Sequence, residues 1–455
     1  MQQKSPTGVT GAYAIVTCLF FAWGFITSLV DPLVAAVKGV FHLSDVEAQL
    51  SAFAFFIAYG VMSLPGAVLL ARMKSVPTVL ISLGMMVAGS LIMLLAANIA
   101  MYEVLLLGLF VMASGITVLQ VAANPLSAAL GSPERSHFRL TFSQAFNSLG
   151  TVLGPILGAQ LFLKGIEVKA GTSVTAAARA GSFAGIDRAF FWIAGLIILI
   201  GLMIWSGRRL IEAAAPPPPS ETARRGIVAT IGEAAASPWA LFGGVAIFLY
   251  VGAEVSIGTQ MTLYLNSDVI WGQSDSPFKL PLIGRLLSWY LGSDGVHGVS
   301  LQEAGNAVSL YWGGAMVGRL AGSALLTKIK APGLLAVFAG IAFLLCLYVF
   351  AIGGVPAGYA ALSIGLFNSI MFPVIFTITL ERSSASEEAT SGFLCFSIVG
   401  GAIVPLIVGF VSQHSNYVTA FIVPAVCYAV LFLFSLASGR ARTHLRDEPA
   451  AATIH

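Results

Sequence analysis

The chain is written in long apolar blocks. Stretches of twenty or more residues with almost no charge recur from end to end, separated by short polar breaks. A helix needs about 20 mostly apolar residues to cross the hydrocarbon core of a bilayer. Lipid offers no partner to backbone N–H and C=O groups, so each block is constrained to be helical. Windows of that length predict twelve spans, near 11–37, 48–71, 77–97, 102–130, 139–163, 187–207, 239–265, 302–327, 331–351, 357–381, 388–412 and 417–438. The first and fourth exceed a minimal crossing, which predicts tilt or extension beyond the lipid. The first block is too long for a signal-peptide core and carries Asp31, so it is read as a retained first helix. Only 9% of residues are charged and 57% are hydrophobic, whereas a soluble domain needs roughly a quarter charged. The lipid bilayer is the solvent that fits, and the expected fold class is an all-α, multi-pass integral membrane protein.

Composition also excludes. A net charge of +3, dispersed along the chain, gives no footprint for nucleic acid. Cys18, Cys346, Cys395 and Cys427 stand singly inside apolar segments, and read as small packing residues with no disulfide or metal role. There is no G-x-x-x-x-G-K-[ST] loop, hence no ATP motor, and no H-E-x-x-H zinc spacing. The histidines fall in loops, at span ends or in the tail. No catalytic residue, metal ligand or cofactor is expected, and the chain does not read as an enzyme.

Between the sixth and seventh spans lie Arg208-Arg209, the run Pro216 to Pro219, and Arg224-Arg225. A proline run cannot be helix interior and makes a semi-rigid spacer. The expected organisation is a six-helix bundle over 1–207, a cytoplasmic linker over 208–238, a second six-helix bundle over 239–438 and a cytoplasmic tail over 439–455. The halves echo each other. Gly66-Ala-Val-Leu-Leu-Ala-Arg72-Met-Lys74 ends the second span and Gly322-Ser-Ala-Leu-Leu-Thr-Lys328-Ile-Lys330 ends the eighth. Gly150-Thr-Val-Leu-Gly-Pro155 in the fifth span matches Gly400-Gly-Ala-Ile-Val-Pro405 in the eleventh. Two matches in the same order suggest pseudo-symmetric repeats, the arrangement of transporters whose halves rock about a mid-membrane site. Lys and Arg favour the segments facing the side of the termini, Arg72, Lys74, Arg208, Arg209, Lys328 and Lys330 among them, which predicts cytoplasmic termini.

Charges inside a span are costly and are therefore functional candidates. Asp31 follows Trp23 and Thr27 at helical spacing, so a ring, a hydroxyl and a carboxyl share one face. Pro32, next to it, deprives a carbonyl one turn earlier of its partner. Asp31 is a candidate proton carrier; the alternative is an interfacial carboxyl that wets a helix end. Glu254 lies in Tyr250-Val-Gly252-Ala-Glu254-Val-Ser256-Ile-Gly258-Thr259-Gln260, with no basic partner evident at its depth. It is a candidate for proton coupling or ligand binding, against a structural ion pair. Arg319, near the end of the eighth span, reads as a gating or structural residue, together with Arg72, Lys74 and Lys328.

Neutral hydrogen-bonding groups recur on particular helices: Gln120 with Asn124, Gln144 with Asn147 and Ser148, and Asn368 with Ser369, besides Gln260 in the Glu254 segment. Amides offer donors and acceptors together, which suits a polyhydroxylated ligand, while aromatic faces suit the C–H face of a sugar ring. Each pair taken alone could be inter-helix glue; three sets with two carboxyls favour a hydrated central cavity. The stretch 266–300, with Trp271, Trp289 and Tyr290, reads as a lid or an interfacial helix.

These motifs carry a resemblance. Phe20-Phe-Ala-Trp23-Gly24-Phe with Asp31, Leu119-Gln120-Val-Ala-Ala-Asn124-Pro125, Phe138-Arg139 through Gln144-Ala-Phe-Asn147-Ser148, the Glu254 segment, Gly318-Arg319 and Asn368-Ser369-Ile-Met-Phe-Pro373 resemble the fucose:proton symporter branch of the major facilitator superfamily. More narrowly, they resemble its bacterial glucose/galactose-type transporters, over all but the tails, the linker and the outer loops. The resemblance implies a monomeric protein of the bacterial inner membrane whose partners are a monosaccharide and a proton. It implies uptake of a hexose or related sugar by alternating access, with Asp31 matching the family's proton-coupling carboxyl. Gln120 departs from the glutamate of the fucose-transporting members (L-E-x-A-A-N-P). An amide cannot titrate, so coupling would rest on Asp31 with Glu254 as second candidate, and glucose, galactose or an amino sugar is favoured over fucose. Trp23, Thr27, Gln120, Asn124, Gln144, Asn147, Glu254, Gln260 and Asn368 are the expected sugar ligands. A sugar uniporter or exchanger, a drug exporter of the same fold, and a sensor without transport stay open.

Overall fold

Each apolar block is a helix in the computed structural model, which describes residues 6–130, 136–164, 166, 175–214, 227–274, 277, 283–291, 297–326 and 328–441. Among these residues, eleven helices are long and apolar enough to cross a membrane, and no strand occurs. In chain order the spans are one, Pro6–Ser28 continued by Val30–Phe41; two, Asp45–Met73; three, Ser75–Ile99; four, Tyr102–Ala129; five, Ser136–Phe162; six, Ala176–Ala214. Seven is Pro238–Asn266; eight, Leu301–Leu326; nine, Ala331–Ile352; ten, Gly354–Asn368 with Met371–Arg382. Eleven runs through Glu387–Phe396, Ser397–Val399 and Gly400–His414, and twelve is Tyr417–Ala420 with Ile422–Arg440. Span eight is the helix that falls short in apolarity, because it carries Gln302, Glu303, Asn306 and Arg319. Its length of about 39 Å, at 1.5 Å per residue, is ample for a crossing. It packs against spans five, seven and ten, so its polar groups are covered by protein instead of lipid.

Span six is longer than expected. Hydropathy predicts 187–207, and the helix runs over Ala176–Ala214, 39 residues. The added turns hold Arg179 and Arg188 at one end and Arg208 and Arg209 at the other, which a hydropathy window rejects but which cost a helix little outside the lipid. The linker region is partly helical too, over Ile227–Ala236. Its proline run at 216–219, Arg224-Arg225 and the tail from 442 onward lie outside the described residues.

Prolines break two spans where their missing N–H requires it. Span one is interrupted at Leu29, and Pro32 follows in the first turn of the continuing helix. Span ten is interrupted at Ser369–Ile370, with Pro373 in the next turn. Each break falls in the middle of the molecule, and each opens backbone carbonyls to other partners.

The internal repeat is visible as packing. Gly150 of span five lies so close to span one that a Cβ would sit 2.5 Å from the Phe21 carbonyl oxygen, and Gly400 of span eleven lies equally tight on span seven, 1.9 Å from that of Phe248. Gly66 of span two faces Val118 of span four, while Gly322 of span eight faces Ile370 at the break in span ten. The matched glycines therefore occupy matched seams, five on one with eleven on seven, and two on four with eight on ten. The halves meet where span five packs on span eight, span two on span eleven, and the second part of span one on span seven. The repeat exchanges the first two of these contacts with each other.

Spans three, six, nine and twelve lie at the periphery and turn large apolar side chains outward. Leu91, Trp192, Leu199, Leu344 and Leu433 are more than half exposed. Water would not tolerate such a surface; lipid accommodates it at no cost.

Candidate functional site

Three polar side chains from three spans stand at mid-depth. Asp31, Glu254 and Trp312 each lie about 15–18 Å along the helix from the face opposite the termini, half-way through a core of ~30 Å. Asp31 is 4% exposed and accepts a hydrogen bond from Trp312 Nε1 on Oδ2 at 2.6 Å. It is thus enclosed between the halves and does not wet a helix end. Gly258 of span seven closes the third side: a Cβ there would lie 3.2 Å from Asp31 Oδ1. Glu254 is half-buried, and its charge reaches Asp31. Glu254 lies within electrostatic reach of Arg319, which stands about two turns nearer the termini, and of the Tyr250 hydroxyl.

Arg319 fastens three spans. Its Nε donates to the Ser369 carbonyl at 3.2 Å, the very carbonyl whose helical partner Pro373 lacks. Its Nη1 donates to Ser148 Oγ of span five at 2.7 Å, so this arginine crosses from one half to the other. Arg72, Lys74 and Lys328 are exposed at span ends on the face of the termini. Lys74 sits at φ +67 in the tight turn between spans two and three.

In the first half the amides form separate small contacts. Gln120 Nε2 donates to the Tyr59 hydroxyl at 2.8 Å. Gln144 Nε2 points to Asn124 Oδ1 at 3.4 Å, and Asn147 Nδ2 reaches the Phe20 carbonyl at 3.2 Å. Thr27 Oγ1 donates back to the Trp23 carbonyl at 2.7 Å, while Trp23 is buried against Phe20, ring centroids 4.2 Å apart. Thr27, Gln120, Asn124, Gln144 and Asn147 are all half-buried.

The second half is organised differently. Asn368 has no exposed surface; its Nδ2 donates to the Tyr311 hydroxyl at 2.6 Å and its Oδ1 accepts from Tyr428 at 2.7 Å. Its carbonyl accepts from Tyr250 at 3.2 Å, and Tyr311 in turn donates to the Glu254 carbonyl at 3.2 Å. Asn368 is therefore the hub of a tyrosine network beneath Glu254. Gln260 stands apart, bonded to Ser412 Oγ of span eleven at 2.7 Å.

Near the face opposite the termini the halves are fastened again. Lys38 of span one bonds to Asp45 and to the Tyr417 hydroxyl of span twelve, Gln413 Oε1 accepts from the Val46 N–H at 3.4 Å, and Thr259 donates to Gln49 at 3.0 Å. In the outer stretch, Trp271 is fully buried and donates to the Val355 carbonyl at 3.1 Å. The short helix Ile283–Leu291 leaves Trp289 81% exposed.

Local sequence reasoning missed Trp312, Tyr59, Tyr311, Tyr428 and the Lys38 contacts. Trp312 lies 281 positions from Asp31 and Tyr417 lies 379 from Lys38, and nothing in a helical pattern joins residues so distant. The one available signal was depth: Asp31 and Trp312 stand equally far into their spans.

A model of the major facilitator superfamily matches residues 14–382. The chain is 36% identical over 429 residues to a glucose/galactose transporter of Brucella abortus, covering 93% of each chain. It is 26% identical over 432 residues to the L-fucose-proton symporter of Escherichia coli, covering 93% of this chain and 92% of that one. Among solved structures, the Escherichia coli fucose:proton symporter superposes with a TM-score of 0.65 at 25% identity, over 95% of this chain and 98% of that one. An inward-facing bacterial homologue of the lysosomal transporter Spinster superposes equally well, TM-score 0.65, at 16% identity over 99% of this chain and all of that one, a likeness of fold alone.

Proposed function

The chain belongs to the major facilitator superfamily, and from that premise we propose that it takes up a hexose or related monosaccharide together with a proton, by alternating access. The halves 1–207 and 239–438 rock as two bodies joined by the 208–238 linker, in a bacterial inner membrane with both termini in the cytoplasm, each monomer working alone. The observation that carries the reading is a carboxyl, Asp31, enclosed at mid-membrane and bonded across the two halves by Trp312. A group so placed can exchange its proton with either side only as the halves part. Its relatives' names, a glucose/galactose transporter and a fucose-proton symporter, support a neutral sugar as cargo.

The division of labour follows from chemistry. Asp31, with Glu254 as the second carboxyl in electrostatic reach, carries the proton. The half-buried Thr27, Gln120, Asn124, Gln144 and Asn147 offer the sugar hydroxyls donors and acceptors, and Trp23 lends an aromatic wall. Asn368 and Gln260, already bonded within the second half, reach a sugar only if those bonds exchange. Sugar and proton can drive the rocking only by binding one arrangement better than the other.

Purified protein in liposomes tests this with a panel of glucose, galactose, amino sugars and fucose. Sugar-dependent alkalinisation outside, lost in Asp31→Asn, is the expected result. Saturable sugar exchange with no proton movement would favour a uniporter, a reading to which the amide at Gln120 lends some weight.

A further inference from the structure

Asp31 is held by an indole from the other half. Indole N–H is a donor only, so Trp312 can serve the carboxyl in either protonation state, but it binds a carboxylate about twice as strongly as a neutral acceptor. The contact is built with care for space. Gly258 leaves room for both partners, since a Cβ there would lie 3.2 Å from Asp31 Oδ1 and 3.3 Å from the Trp312 ring. Tyr311 braces the indole edge-on, ring centroids 5.1 Å apart at 76°. The titratable group that acts on Asp31 is Glu254 on span seven, and Asp31 in turn acts on Tyr311 of span eight. Span five meets the same stretch of span one through Gly154 and Gly158, and Lys38, two turns along span one, is engaged by Asp45 and Tyr417.

We propose that Trp312 is a positioning residue that ties release of the Asp31 proton to closure of the halves on the face opposite the termini. The donor meets the carboxyl where spans one, seven and eight come together. As the halves part on that face the indole withdraws with span eight, and Asp31 takes a proton from water there. As they close, the indole returns, Asp31 gives its proton to water on the side of the termini, and the carboxylate left behind accepts the N–H. The proposal rests on the proton-coupled reading above and assigns to one side chain the link between protonation and motion.

Trp312→Phe removes the N–H and keeps the ring. In liposomes the variant is expected to lose far less of its sugar exchange, which needs no net proton movement, than of its accumulation. Its accumulation of sugar under a pH gradient is expected to fall about tenfold or more, the scale of one lost hydrogen bond to a charged group. Acidifying the compartment that receives the proton should slow the variant more than the wild type. Gly258→Ala, which crowds both partners while leaving the N–H in place, should show the same pattern in weaker form. Accumulation unchanged in both variants overturns the proposal. So does a parallel loss of exchange and accumulation with an unaltered pH profile, at equal amounts of protein in the membrane. A wild type that moves sugar without protons would instead overturn the proton-coupled reading, before any variant is compared.

Discussion

Lys38 of span one and Tyr417 of span twelve meet across the two halves, the ammonium bonded to the phenol and lying 5.2 Å from its ring centroid. Asp45 of span two completes the group, accepting from Lys38 and, at 2.9 Å, from the Tyr417 hydroxyl. Both members of the ion pair are mostly buried, with 16% and 11% of their side chains exposed. The three residues therefore fasten the face opposite the termini. Lys38→Met should weaken that closure by about 1–2 kcal/mol, between the values of exposed and buried pairs, and so raise the open population severalfold. A cysteine placed at Gln49, buried against Thr259 of span seven, should then react faster with a membrane-impermeant maleimide. Equal labelling rates with and without Lys38 would show that the contact does not gate.

Gln120 bonds to the Tyr59 hydroxyl at 2.8 Å, and a glutamate there would keep the contact with the direction of donation reversed. Gln120→Glu should therefore fold and add a second titrating carboxyl to the first half. The ratio of protons to sugar moved in liposomes should rise, or its pH dependence steepen. A ratio and pH dependence identical to the wild type would remove Gln120 from the coupling path.

Arg319 donates to Ser369 and Ser148 from two different nitrogens. An ammonium is a point charge and cannot reproduce that fork. Transport rates should fall in the order wild type, Arg319→Lys, Arg319→Met, with the methionine variant also less stable because the Ser369 carbonyl loses its donor. Full activity in the lysine variant would reduce Arg319 to a bare charge.

Asn368 satisfies two tyrosines with its side chain, at a site without exposed surface. Asn368→Leu should cost about 1–3 kcal/mol, the penalty of leaving buried hydroxyl groups unpaired, and lower the thermal midpoint in detergent. Tyr428→Phe, which removes one of the two side-chain partners, should cost less. A leucine variant as stable as the wild type would mean that the tyrosines re-pair among themselves.

The spans are legible because lipid leaves the backbone no choice, and even span eight, with its Gln302, Glu303, Asn306 and Arg319, keeps a mostly apolar block long enough to cross. The ends of span six are not, since Arg179 and Arg208 look like loop residues to a measure that counts only hydropathy. Asp31, Glu254 and Arg319 announced themselves as charges in apolar blocks. What they touch did not. Trp312 and Tyr311 resemble any aromatic residues facing lipid until the fold brings them beside a carboxyl and an amide. Gln120 and Gln260 look alike in sequence, yet one is half-buried and the other is spent on Ser412.

The glycine seams and the polar bridges age differently under motion. Gly150 on span one and Gly400 on span seven bring backbones together inside each half, and no solvent molecule can enter to replace a contact that close. The bonds from Trp312 to Asp31, Arg319 to Ser148, Thr259 to Gln49 and Lys38 to Tyr417 all cross between the halves, and each of their atoms can exchange its partner for a water molecule. Water thus acts as the lubricant of one interface and is shut out of the other. The plane along which the molecule parts is drawn by which of its contacts a water molecule can imitate.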